Sequence, residues 1–379
     1  MMRNDVVPTL SRPAALLRAF SLFALAWAVI GVGTAHADGN VTVMTQNVYQ
    51  GTEFRNIQGL KSGQSFSEAL VATSADYATY EQTNFKARAK QIAAEIAQNN
   101  PALVGLQEIA TWHKGPFNQS KPFALPAAVS EDFTKELVNA LTADGVHYTP
   151  VSTHENNFTL AFPIFVPGTS TCCIAVGMVE SGVILARTGV AVSNPQQGVY
   201  NFKVELENPL THEKIPFHNS WQSVDVTVPG KTFRFITTHL DALDPSGFIR
   251  GHQAKELVEG PANTSRPVVV TGDMNSGPNT SSAAYNALLA GGPAGPLTDA
   301  WTAAGLGAPP LTCCHLAFND LVNDPNATYT DDLDHVFIRG SLHAKSGKLV
   351  GNEAPNPVPN PFLWPSDHAG MVATLATGN

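Results

Sequence analysis

Charged side chains are scarce in this 379-residue chain, at 14 % of the sequence. Basic ones are scarcer still, with 22 Lys and Arg against 31 Asp and Glu. That balance excludes a broad basic surface for nucleic acid or anionic lipid. Long apolar runs are missing too. After a stretch ending at Val32, none approaches the ~18 residues of a membrane helix, so no span is expected in the mature chain. No internal repeat or low-complexity tract is visible. Cysteine is limited to four residues, in two identical tripeptides, Thr171-Cys172-Cys173 and Thr312-Cys313-Cys314. Adjacent cysteines are poor zinc ligands, because ligand pairs are normally spaced by two to four residues.

The first 37 residues read as a secretory signal peptide, with Arg12 and Arg18 ahead of the apolar stretch Ala19–Val32 and a small-x-small site at Ala35-His36-Ala37. Cleavage near Ala37 predicts a secreted protein with a single domain over residues 38–379. Removing Arg3, Arg12, Arg18 and Asp5 with the leader leaves 19 basic and 30 acidic residues, a formal charge of −11. Export predicts that Cys172, Cys173, Cys313 and Cys314 are oxidised. Bridges between the two pairs are favoured over two vicinal ones, whose ring strains the intervening peptide.

Strands and helices alternate along the chain. Val41–Asn47, Leu103–Glu108, Val183–Arg187 and Val268–Val270 read as strands, and Val224–His239 as a hairpin turning at Pro229-Gly230. Phe85, Ala89, Ile92 and Ile96 mark one face of a helix that stops at Asn99-Asn100-Pro101. Ser130 is the expected cap of a second helix with the stripe Phe133, Leu137 and Leu141. Helices are also expected over 249–258 and 283–289, and final strands around Val336–Ile338 and Met371–Ala373. Residues 53–80 are polar and ambiguous. Segments near 114–128, 155–172 and 352–365 read as long loops. The mixture favours layered α/β or α+β architecture.

Six polar motifs fall nearly all at the edges of apolar runs: Gln46-Asn47, Gln107-Glu108, Thr238-His239-Leu240-Asp241, Gly272-Asp273-Met274-Asn275, Asp334-His335 and Ser366-Asp367-His368. A carboxylate behind an apolar strand, as at Glu108, is a costly placement unless it is used. With Asn47 and Asp367 it offers hard oxygen ligands, which suit Mg²⁺, Mn²⁺ or Ca²⁺ rather than zinc. Asp273 is placed to take a proton from water, with Asn275 orienting water or phosphate. His368, kept protonated by Asp334, and His239 are candidate donors to a phosphoryl oxygen. Phe362-Leu363-Trp364 reads as core before lipid contact.

These motifs, from about Asn40 to Leu375, resemble the endonuclease/exonuclease/phosphatase superfamily. The resemblance implies a four-layer α/β/β/α sandwich of two packed mixed sheets with its site at one edge. It makes Glu108 and Asn47 metal-associated, Asp273 and Asn275 catalytic, and His239, Asp334 and His368 phosphate-handling. The function expected is a secreted, divalent-metal-dependent phosphodiester hydrolase, monomeric and with no obligate protein partner. Nucleic acid ranks slightly ahead of a sphingomyelinase-like phospholipase C activity. A phosphomonoesterase of sugar or inositol phosphates, or a non-catalytic binding module, are the alternatives.

Overall fold

In the computed structural model, residues 39–61, 64–207, 214–315, 321–355 and 357–378 are described, apart from the side chains of 154–158. The predicted leader, 1–37, lies outside the described residues. The chain opens with β1 (Asn40–Asn47), α1 (Arg55–Gln58), α2 (Phe66–Thr83) and α3 (Phe85–Asn99). It continues through β2 (Leu103–Pro116), β3 (Val129–Asp132), α4 (Phe133–Ala143), β4 (Tyr148–Phe165) and β5 (Cys172–Arg187). Then come β6 (Ala191–Val199), β7 (Val204–Glu207), β8 (Lys214–Phe217), β9 (Ser220–Val228) and β10 (Lys231–His239). The last part holds α5 (Phe248–Glu259), β11 (Val268–Asp273), α6 (Ala283–Ala290), β12 (Thr298–Asp299), α7 (Ala300–Ala303), β13 (Asp334–Arg339), β14 (His343–Val350) and β15 (Gly370–Ala376).

Two mixed sheets form. The first runs β14-β15-β1-β2-β5-β4 with β3 beside β2; the second runs β12-β13-β11-β10-β9-β6. Each has one parallel pair at its centre, β1 with β2 and β10 with β11. Their strands are buried on both faces, so apolar residues run on without polar alternation. Val43 and Leu103 point into the layer between the sheets, while Met44 and Val104 point outward under the helices. In Val268-Val269-Val270 the outer two meet α5 and α6, and the middle one meets the opposite sheet. The order of layers is helix, sheet, sheet, helix, the sandwich that the family resemblance implied.

Near one edge the interior becomes small and polar. Gly105 faces Thr237 and Thr271, and a Cβ there would collide with both. Gln107 Nε2 donates to Thr237 Oγ1 at 2.8 Å, and Thr45 Oγ1 donates to Gln107 Oε1 at 3.3 Å. The first bond ties the two sheets together directly beneath the polar motifs, and the second holds Gln107 in place from its own sheet.

Several expectations need correction. The predicted loop 155–172 is mostly strand, because β4 runs to Phe165 with Pro163 inside it. β4 is an edge strand, where a proline costs no ladder bond. Segment 114–128 is shortened by β2, which continues to Pro116. Ser130 does not cap α4. It lies in β3, and Asp132 accepts from Lys135 N instead. Residues 66–83 form α2, opened by a capping box between Ser65 and Glu68. Phe362 and Trp364 are buried with Tyr49 and Leu321, which is core packing.

The cysteines pair within their tripeptides, Cys172 with Cys173 and Cys313 with Cys314. The reason is distance. Cys172 is nine residue steps along β5 from Ser181, which pairs with β2 next to the polar motifs. At ~3.3 Å per residue that is about 30 Å. Cys313 and Cys314 lie with His368 at the other end of that span, far beyond the ~7 Å Cα reach of a bridge.

Candidate active site

Six chain segments deliver polar side chains to one edge of the sandwich. Asn47 ends β1, His239 ends β10, and Asp273 ends β11. Their register places His239 beside Asp273, and Asp273 opposite Asp334 at the start of β13. Glu108 is not at a strand end as predicted. It occupies a bulge between Leu106 and Ile109, with φ of 55°, and β2 continues beyond it. A bulge re-aims one side chain without ending the strand. Gly272, at φ of 149°, lets β11 approach β10 where a Cβ would strike Thr238 O.

Asn47 connects the two sheets. Its Nδ2 donates to Glu108 Oε1 at 3.0 Å and to Asp273 Oδ2 at 3.1 Å. Its Oδ1 accepts from Tyr49 N at 3.0 Å. Asn47 therefore presents donors, not a lone pair, to the carboxylates. Glu108 Oε2 accepts from Gln50 N at 3.0 Å. Asp273 Oδ1 accepts from Asn275 N at 2.8 Å. Its Oδ2 lies 3.6 Å from His239 Nε2 and 3.7 Å from His368 Nε2.

His368 Nδ1 is 2.8 Å from Asp334 Oδ2. Burial opposes charge on the ring, but the carboxylates of Asp334, Asp273 and Asp367 raise its pKa well above the ordinary value. Burial raises Asp334 as well, so the two compete for one proton. It rests on the imidazole, which faces three carboxylates. His239 is also raised, to about 10, against its burial, by the carboxylate of Glu180, which faces its Nδ1 as an acceptor, and by the charge of Asp273. One contact pulls the other way. Asn275 Nδ2 donates to Leu240 O at 2.9 Å and approaches His239 Nε2 at 3.1 Å, which suits a neutral ring. The charge balance decides, because an amide can rotate and the buried carboxylates cannot leave.

Asp367 is raised to about 7, by burial first and then by Glu108 and Glu53 against the opposing charge of His368. A cluster of mutually repelling oxygens is what a hard divalent cation relieves, so the donor set fits such an ion at Glu108 and Asp367. Asp273, Asp334 and His368 also come close enough together to chelate, but Asp334 and His368 already satisfy each other.

The sequence reading missed several supports. Arg88, wholly buried on α3, donates to the carbonyls of Val48, Tyr49 and Pro365, fixing the backbone next to Asn47 and Ser366. Ser366 Oγ donates to Asn47 O at 2.7 Å, and Gln46 Nε2 to His368 O at 3.1 Å. Thr312 Oγ1 accepts from the backbone N of Leu333 and Asp334 at 3.1 and 3.0 Å, and Thr312 O accepts from Ala369 N at 2.7 Å. Arg250 holds the carbonyl of Asn275 at 2.6 Å. Glu180, 3.6 Å from His239 Nδ1, had a signal: a carboxylate inside the apolar run Val176–Leu185, the same anomaly that marked Glu108. His335 turns away from the site to Asp299 and Asp332 O. Asp241 is buried and accepts from Asp244 N, a turn rather than a site contact.

A cleft of about 250 Å³ opens onto part of this set, with Tyr49, Glu53, Glu108, Glu180, His239 and Asp367 in its wall. Two facing mixed sheets with an acid- and imidazole-rich centre at one edge define a phosphoesterase scaffold. The chain belongs to the Endonuclease/Exonuclease/phosphatase family, which it matches over residues 44–368. Its fold is similar to that of truncated Caenorhabditis elegans TDP2 (15 % identity, 89 % of this chain and 97 % of that one, TM-score 0.48). It is also similar to D. rerio TDP2 complexed with a single-strand DNA product (17 %, 89 % and 99 %, TM-score 0.48). An endonuclease/exonuclease/phosphatase from Bacteroides vulgatus is similar to the same degree (15 %, 89 % and 98 %, TM-score 0.48). No curated protein matches the chain.

Proposed function

We propose that the protein is a divalent-metal-dependent phosphodiester hydrolase that acts outside the cell as a monomer, after loss of residues 1–37, through one catalytic domain over 38–379. The observation that carries this reading is the Asn47 amide, bonded to Glu108 from one side and Asp273 from the other. It couples an oxygen-rich cation site to a base flanked by two imidazoles. Glu108 and Asp367 would hold Mg²⁺, or Mn²⁺ or Ca²⁺ in its place. When bound, the ion neutralises charge on the phosphoryl group.

The remaining chemistry belongs to side chains. Asp273 Oδ2 takes a proton from water as the water oxygen bonds to phosphorus. The phosphorus–oxygen bond to the departing alcohol breaks, and His239 supplies the proton that alcohol needs. His368, held charged by Asp334, stabilises the negative oxygens in the transition state. Asn47 and Asn275 keep the base in line. Against a phosphomonoesterase of polyphosphorylated rings stands the cleft wall, in which no Lys or Arg is found among the described residues.

The test is a screen of the purified protein against phosphodiesters and phosphomonoesters with added divalent metal. Diester hydrolysis is expected and should vanish with a chelator and return with metal. Full turnover after exhaustive metal removal would overturn the reading.

A further inference from the structure

We propose that the substrate of this site carries an aliphatic chain beside its scissile phosphate, and that the chain lies in an apolar groove opening from the catalytic cleft. This rests on the phosphodiesterase reading above and names its substrate class. Beside the cleft lies a larger groove of about 620 Å³. The two share Ile57, Gln58, Leu160, Leu206 and Leu243 in their walls, so one runs into the other. Elements far apart in sequence build it: α1 and α2 on one side, the outer strand β4 at its base, and the β7–β8 hairpin opposite.

The lining is what needs explanation. Ile57, Leu60, Leu160, Leu206, Ile215 and Leu243 are half-buried, while aliphatic residues in the adjoining core are sealed. Large apolar side chains left partly exposed along a concave surface mark a ligand groove. No Lys or Arg lines either cavity among the described residues. A polynucleotide needs cations for its flanking phosphates, and here Glu53 and Glu180 meet it instead. A single phosphate with an aliphatic arm needs only the site and the groove. The phosphate meets His239 and the cation that Glu108 and Asp367 would hold, and the arm passes Leu160 and Leu206.

The probes are straight-chain alkyl phosphates, ethyl to decyl, kept below their micelle thresholds. They compete with bis(4-nitrophenyl) phosphate hydrolysis by the metal-supplemented protein. Burying a methylene fully is worth about four-fold in binding. In this half-open groove the inhibition constant should fall about two- to four-fold per methylene, then level off where the groove ends. Leu206→Glu should flatten the series, and Leu306→Glu, outside the groove, should not; circular dichroism checks that both fold. A flat wild-type series, or a mononucleotide that inhibits better than octyl phosphate, overturns the groove and leaves the hydrolase reading standing. Calorimetric titration of the same series measures the slope even if the bis-ester is not turned over, so the two readings fail separately. Hydrolysis of decylphosphocholine only above its micelle threshold assigns the chain to a lipid surface, and hydrolysis below it to a dispersed amphiphile. Its absence in both overturns the proposal.

Discussion

At Asp273 two hydrogen bonds and two imidazoles meet on one carboxylate. Asp273→Asn keeps the shape and removes the base, and His368→Ala removes the charged donor. Each should lower kcat by about 10²-fold or more, the scale of general bases and preorganised donors, with little change in thermal unfolding. Near wild-type turnover in either would remove that residue's role. A second residue, away from the reaction, governs stability. Glu95 on α3 has its Oε2 sealed and without a hydrogen-bond partner, although the residue keeps some exposure. Burial raises its carboxyl to about 8. A carboxyl raised above its unfolded value, near ~4.3, takes up a proton on folding. Its stabilising contribution is whole below ~4.3 and is lost as pH rises through about 8. Thermal unfolding temperature should therefore fall from pH 5 to pH 8, and Glu95→Gln should flatten that slope. An equal slope in both proteins would assign the pH dependence elsewhere.

Among the elements, those with one dominant period were legible. The stripe at Phe85, Ala89, Ile92 and Ile96 is buried as predicted, and the Val268 run lies between helices and sheet. Helix α2 was not legible, because its buried face mixes Ala69, Leu70 and Tyr77 with Thr73 and Asp76. Asp76 is inside because it accepts from Asn56 and Ile57 and so holds α1. Tertiary partners of that kind leave no periodic trace. The candidate site was readable where a polar residue interrupts or ends an apolar run, as at Glu108 and Asp273. Arg88 and Thr312 carried no such mark, since their partners are backbone groups far along the chain. The cysteine pairing was misread because a local bridge and a distant one look alike in sequence. Thiol titration of the unfolded, unreduced protein should find no free thiol, and peptide mapping should recover each tripeptide with its own bridge. A peptide joining Cys172 or Cys173 to Cys313 or Cys314 would contradict the observed pairing.

The whole molecule is two half-structures, each a sheet with its own helices and a parallel pair at its centre. Asn47 and Glu108 belong to one half, and His239, Asp273 and Asp334 to the other. Arg88 and Ser366 secure the loops around them, and the halves meet through a shared apolar layer, through Gly105 and the Gln107–Thr237 bond beneath the site, and through the contacts of Asn47 with Asp273 and of His368 with Asp334. The working geometry is thus a property of alignment between two sheets, and a small shift between them is enough to spoil it. Gly105→Ala would wedge the halves apart at Thr237 and Thr271 and separate Asn47 from Asp273. It should cost activity more than about ten-fold at temperatures where far-ultraviolet ellipticity is unchanged, and a parallel loss of both signals would show that the halves unfold as one. In the wild type the same slip sets an order of failure on warming. Turnover should fade first, while secondary structure persists, and cooling before the second event should restore it. For this fold, thermal inactivation would then be a sliding transition between two solid layers, with its own midpoint below that of melting.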